Sequence, residues 1–197
     1  SGFRSNCSQE KPIKLIDFSL QLANEKIILR PLEPEDFDEI SKLTQFPEMW
    51  FYFTSDLSNP EVLRAWIDSA VKDRYAYKRL AFVIIEKNSG KIIGSTSFGN
   101  YSEKDLRIEI GWTWLGKDFQ GNGYNFQAKV LLLNYCFKTL ALERVEAKTD
   151  VLNRAARNSL LKSGFVEEGI LRSHTLLTNN RRRDTIYYSI LKAEYFQ

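Results

Sequence analysis

Between Leu106 and about Leu140 the chain runs from strand to glycine turn to helix without a linker, and no other stretch constrains the fold as much. In "DLRIEIGWTWL" apolar residues recur at every second position. Leu106, Ile108, Ile110, Trp112 and Trp114 fall on one face, and Arg107, Glu109, Gly111 and Thr113 on the other. Gln120-Gly121-Asn122-Gly123 follows, and then a helix from about Tyr124 to Leu140. Glycines at such a junction weaken both neighbours, so their presence needs a reason. The first N–H groups of a helix lack intrahelical partners and carry partial positive charge, and glycine lets an anion reach the main chain. The plainer alternative is a helix entry that needs only positive φ. Neither G-x-x-x-x-G-K-S/T nor G-x-G-x-x-G is completed here.

The flanking segments place this unit in a sheet. Lys26–Leu32 reads as a strand stopped by prolines, and Pro34 opens a helix with Glu35 and Asp36 in its first turn. Asn59 and Pro60 cap and start a second helix running to about Arg79. "LAFVIIEKNSGKIIGSTSFGN" is a hairpin turning at Asn88-Ser89-Gly90-Lys91. "ERVEAKTD" is a further strand, Asn153–Ser163 a short helix closed by Gly164, and Val166–Leu177 and Arg183–Leu191 two last strands around Asn179-Asn180. Residues 1–24 form an N-terminal extension with an edge strand expected around Leu15–Leu22. The chain starts at Ser1 and has its one methionine at Met49, so its first residues read as an added or trimmed terminus. The whole reads as one α/β domain, residues 26–191 forming the core, with a mixed, mostly antiparallel sheet of about seven strands flanked by about four helices.

A net charge of +3 is too small for a nucleic-acid partner, which usually demands a dense basic face. The tight basic run Arg181-Arg182-Arg183 follows a turn signal and reads as a solvated hairpin tip. Cys7 and Cys136 are far apart and match neither a disulfide framework nor a zinc spacing, so no metal is expected and a reducing cytoplasm fits. No apolar run approaches the ~20 residues of a membrane span.

In combination and order, these motifs resemble the GNAT acyltransferases, and among them the RimJ/RimL-like N-acetyltransferases. The family's Q/R-x-x-G-x-G/A aligns with Gln120-Gly121-Asn122-Gly123-Tyr124-Asn125, with Asn125 in place of the final Gly/Ala. Asn153 with Gly164-Phe165, "LRPLEPEDF", "GKIIG", "IEIGW" and "RDTIYYSIL" also match, so that the resemblance covers about Lys26 to Leu191. It implies a sheet splayed in the middle, with acetyl-CoA between "RIEIGWTWL" and "RVEAKTD". The pyrophosphate would lie on the amides of Gly121–Asn125, and Asn153 would bond the pantetheine arm or cap its helix. Arg154 and Arg157 are either phosphate contacts or exposed helix charges.

Acetyl transfer to an amine needs a neutral amine, a polarised thioester carbonyl and a proton for the departing thiolate. An α-amine titrates near about 8 and lysine near about 10.4, so a base helps. Glu109 is the candidate base: it lies on the polar face of the cleft strand, between apolar neighbours that would raise its pKa. A surface glutamate paired with Arg107 or a neighbouring strand is the alternative. The resemblance implies that the main chain near Trp114 and Leu115 stabilises the oxyanion. The tyrosine that many members use as acid is replaced by Leu160, with Tyr187 and Tyr188 as distant substitutes. Trp50, Phe51 and Tyr52 (with Phe53) are expected to wall the acceptor pocket, and His174 to be structural or to face substrate.

The resulting expectation is an acetyl-CoA-dependent N-acetyltransferase that acts on a peptide or protein N-terminal amine by direct transfer, with a homodimer left open. A small-molecule amine (aminoglycoside, polyamine or peptide-like toxin) and a non-catalytic acyl-CoA binder are the competing readings.

Overall fold

The computed structural model describes residues 16–197. Its strands are β1 (Leu22–Ala23), β2 (Ile27–Pro31), β3 (Arg79–Glu86), β4 (Ile92–Ser102), β5 (Arg107–Leu115), β6 (Arg144–Asp150), β7 (Val166–Leu176) and β8 (Arg182–Leu191). The helices are α1 (Phe37–Thr44), α2 (Pro60–Tyr75), α3 (Tyr124–Asn134, continued by a wider turn over Tyr135–Thr139), α4 (Arg154–Lys162) and the one-turn α5 (Lys192–Tyr195). The eight strands form one sheet in the order β1-β2-β3-β4-β5-β6-β8-β7. The strand beyond the expected seven is the two-residue β1, paired with β2 at Leu22 and Ala23, a length that leaves almost no periodicity to read. Leu15 and Cys7 lie outside the described residues. α2 ends at Tyr75, short of the expected Arg79. Tyr77 at φ 56 turns the chain there, and Arg79 already belongs to β3.

Every neighbouring pair is antiparallel except β5 and β6, which α3 joins in parallel. That pairing covers only Arg107–Glu109 opposite Arg144–Glu146, after which the two strands part. A parallel pair needs a long crossover, and here α3 supplies it.

Each face of the sheet carries its own core. On one, Ile108, Ile110, Val145, Ala147, Ile186 and Tyr188 pack under Ala128, Leu132 and Leu160 of α3 and α4. On the other, Val83 and Trp114 meet Ile40, Leu63 and Ile67 of α1 and α2. Full burial of each such side chain is worth roughly 1.5–3 kcal/mol. β3 is buried on both faces from Arg79 to Ile84, so its "RLAFVI" shows no alternation.

The even alternation expected along β5 breaks at Trp112. The register with β4 shifts between Ser95 and Ser97, and Trp112 takes φ 53, forming a bulge. One extra residue reverses the faces beyond it. Trp114 therefore joins the α1/α2 core while Leu115 returns to the face of Ile108 and Ile110. The Arg181–Arg183 run also differs from a solvated tip. The turn is at Thr178–Asn180, Arg181 pairs with fully buried Asp150, and Arg183 is itself buried.

Candidate active site

A cleft of about 360 Å3 opens where β5 and β6 part. Strand alternation divides its lining between the two faces of the sheet. On the α3/α4 side are Asn125, Lys129, Asn153, Ala156 and Leu160. On the α1/α2 side, out of step with Ile108, Ala147 and Ile186, are Glu109, Lys148 and Arg183, joined by Tyr52, Phe53 and His174. The cleft thus passes through the sheet.

Glu109 is the last β5 residue paired with β6, so its side chain stands at the fork. It is 5% exposed. Asn100 Nδ2 donates to Oε2 at 2.6 Å, and the Lys148 ammonium lies 3.3 Å from Oε1. Asn100 has φ 49 within an irregularity of β4, a left-handed conformation asparagine tolerates better than most residues. The salt-bridge partner expected on a neighbouring strand is thus Lys148; Arg107 pairs with Asp105 and Glu146 instead.

The glycine turn has both features an anion needs. Gly121 and Gly123 sit at φ 77 and 82, and the space a Cβ would enter is empty within 4 Å at each. Gly123 occupies the N-cap of α3, and among the described residues no side chain caps that helix. The bond from Gln127 N to Gly123 O (3.0 Å) closes its first turn, leaving the amides of Tyr124, Asn125 and Phe126 ahead of it. α2 and α4, by contrast, are capped by Asn59 and Asn153. Asn122 donates to the Asp118 carbonyl at 3.3 Å, and the Tyr124 hydroxyl bonds Glu86. Asn125 donates to Ser159 Oγ at 3.1 Å and accepts from Lys129, so the residue replacing the family's small one ties α3 to α4.

Gly116 N donates to Ile93 of β4 at 2.9 Å. Alternation turns Leu115's own peptide groups toward the open edge, where its carbonyl accepts from Gln120 Nε2 at 3.0 Å. Trp114 pairs with Ser95, and its ring is buried against Trp50.

Other expected site residues lie elsewhere. Trp50 is 2% exposed, its Nε1 donating to the Thr44 carbonyl at 2.9 Å, and it packs in the α1/α2 core. Phe51 points outward beneath the Arg181 guanidinium, so of the expected aromatic wall only Tyr52 and Phe53 line the cleft. Arg157 does not reach the cleft: its guanidinium is shared among Tyr188 Oη (3.1 Å), the Val151 carbonyl (3.0 Å) and Glu167 (3.1 Å). Tyr188 is fully buried on the α4 side, and Tyr187 meets the His174 ring edge-on. His174 does line the cleft, with Nδ1 at 2.9 Å from Thr185 Oγ1. Burial pushes the Cys136 thiol up, which fits a packing residue. Among the described residues no three His, Cys, Asp or Glu side chains group as metal ligands would.

The sequence reading missed Lys129, Lys148 and Arg183. Lys129 is 5% exposed, and burial lowers its ammonium to about 8. The sign of it was one lysine inside "FQAKVLLLNYCF", four residues after Asn125.

An open strand fork, a helix start free to meet an anion and a buried carboxylate between them describe a site suited to a phosphate-bearing ligand laid along a split sheet. A family model described as Acetyltransferase (GNAT) domain matches residues 26–166, and the chain belongs to that family. It is 32% identical to the Bacillus subtilis (strain 168) protein YdaF, provisionally named a ribosomal N-acetyltransferase, over 87% of this chain and 94% of that one. It is 27% identical to the Escherichia coli (strain K12) ribosomal-protein-serine acetyltransferase over 57% of this chain and 62% of that protein. A GCN5-related N-acetyltransferase from Brucella melitensis superposes with a TM-score of 0.83 at 25% identity, covering 90% of this chain and 80% of the other. The protein is an N-acetyltransferase of the GNAT family. Members use acetyl-CoA as co-substrate, and the uncapped α3, the open glycines and the unpaired edges of β5 and β6 suit it. Among the described residues no helix is long and apolar enough to cross a membrane.

Proposed function

We propose that the protein acetylates the N-terminal amine of a peptide or protein by direct transfer, with Glu109 as general base. The buried carboxylate at the fork of β5 and β6 carries this reading, because it stands where a group entering from either face must pass. Acetyl-CoA supplies the acetyl group. The amides opening α3 and those of Gly121 and Gly123 would hold its pyrophosphate, with Asn153 on the pantetheine arm. Leu115 offers its amide at the open edge to the thioester carbonyl. Glu109 takes a proton from the attacking amine, Lys148 and Asn100 keeping the carboxylate in place. Lys129 puts an ammonium on the cofactor side, where negative charge develops on the departing sulfur; this fills the place that Leu160 leaves without a hydroxyl.

A cationic small molecule is less well served. Among the described residues the one carboxylate lining the cleft, Glu109, is already paired with Lys148. The names of the ribosomal relatives favour a protein amino terminus, with ribosomal proteins as the first acceptors to try.

The test is acetyl-CoA-dependent thiol release with peptides of varied N-terminal residue and with small cationic amines. Glu109→Gln is expected to lower kcat by roughly 10²–10⁴-fold with CoA affinity unchanged. Unchanged turnover in that variant would remove Glu109 as base. Turnover of the small amines alone would replace the acceptor.

A further inference from the structure

On the acceptor side of the cleft the charges do not balance. Glu109 and Lys148 pair with each other, which leaves the Arg183 guanidinium. Arg183 is 9% exposed. Its Nε donates to Thr185 Oγ1 at 3.0 Å, and among the described residues its two terminal nitrogens have no hydrogen-bond partner. Asp150, the nearest source of negative charge, is spoken for: Arg181 holds Oδ2, and the Leu152 amide donates to Oδ1 at 3.0 Å. Burial lowers the Arg183 pKa, with Asp150 acting in the opposite direction, yet a guanidinium keeps its charge in proteins. The terminal nitrogens of Arg183 are not among the buried polar atoms left unpartnered; they face the open cleft, where an arriving anion can meet them. The planar fork of the guanidinium suits a carboxylate held through two parallel hydrogen bonds.

Position then says where the anion sits in the acceptor. Along β8, Arg183 is four residues from Tyr187, which pairs with Lys148, the partner of Glu109. At about 3.3 Å per residue that is on the order of 13 Å of strand before either side chain reaches inward. The two side chains reach toward each other across that stretch, and the Glu109 carboxylate is near enough to act on the Arg183 guanidinium, so an anion on Arg183 belongs to the first residues of a chain whose amino end is at Glu109.

We propose that Arg183 binds a carboxylate of the acceptor, so that the preferred substrates are peptides with an acidic residue in the first two positions. The inference rests on the α1/α2 side of the cleft being the acceptor side. No partner is needed beyond the peptide, because Arg183 forms hydrogen bonds to the carboxylate and takes no part in the proton transfer.

Peptides differing only in Glu, Gln or Lys at the second position, or at the first, test it through kcat/KM for thiol release. Wild type, Arg183→Lys and Arg183→Gln are compared, with CoA affinity measured alongside. The expected result is a tenfold or greater preference for Glu over Gln at one of the two positions, with the Lys peptide poorest. Arg183→Lys keeps part of that preference, Arg183→Gln abolishes it, and CoA affinity stays the same in both. Equal turnover of the Glu and Gln peptides by wild type overturns the inference and leaves peptide acetylation standing. So does a Glu preference that survives in Arg183→Gln. No turnover of any peptide by protein that binds CoA overturns both readings together. The wild-type comparison decides even where Arg183→Gln fails to fold.

Discussion

Lys129 is a charge placed where the fold makes charge expensive. Its ammonium is buried in α3, bonded to the side chain of Asn125, and burial lowers its pKa to about 8. The unfolded chain keeps that proton to about 10.4. Between those values the unfolded state binds more protons, so stability rises with pH across that window. The penalty is full below about 8 and gone above the unfolded value. Lys129→Met is therefore expected to exceed wild type in unfolding free energy at pH 7 by up to the order of 3 kcal/mol. That difference should shrink as the pH is raised from 8 to 10. Denaturant titrations of both proteins at several pH values check this, and a difference independent of pH would mean that the ammonium pays no desolvation cost. The same variant should slow acetyl transfer if the ammonium steadies the departing sulfur.

At the scale of elements, two asparagine caps separate stability from binding. Asn59 accepts from the Glu61 and Val62 amides at the start of α2, and Asn153 from Ala156 at 3.1 Å at the start of α4. Replacing either with alanine is expected to lower stability by about 0.5–2 kcal/mol. Only Asn153→Ala should also weaken CoA binding, because only that cap lines the cleft; titration of CoA into both variants is the check. The same elements explain what could be read from the sequence. Asn59-Pro60, the glycine turn before α3 and Asn153 with Gly164 are local signals whose chemistry works within a few residues, and each marked its element. The bulge at Trp112 had no such signal, since a tryptophan rather than a glycine holds the positive φ. Alternation counted through it put Trp114 on the wrong face. The cluster at Trp50–Phe53 was legible as aromatic but not as to direction, because its turn leaves Trp50 in the core, Phe51 in solvent and Tyr52 at the cleft. Arg181 and Arg183 looked solvated because Asp150, which holds one of them, is thirty-odd residues away on β6.

Across the whole molecule, the parting of β5 from β6 turns a sheet into a passage. α3 and α4 lie at one mouth with the uncapped helix start, Asn153 and Lys129; the segment around Tyr52 and the β7–β8 pair lie at the other with Arg183 and His174. Glu109 stands between them. The direct transfer proposed above needs both reactants bound at once with their reacting atoms close, and a passage open on both faces of the sheet lets them approach a common point from opposite sides. The most direct measurement is the crystal structure of the protein with CoA bound. The expected result is the pyrophosphate on the amides of residues 121–126, the pantetheine arm between β5 and β6 beside Asn153, and the sulfur at the fork within reach of the Glu109 side. CoA bound away from the fork, or entering from the side of Arg183, would contradict it.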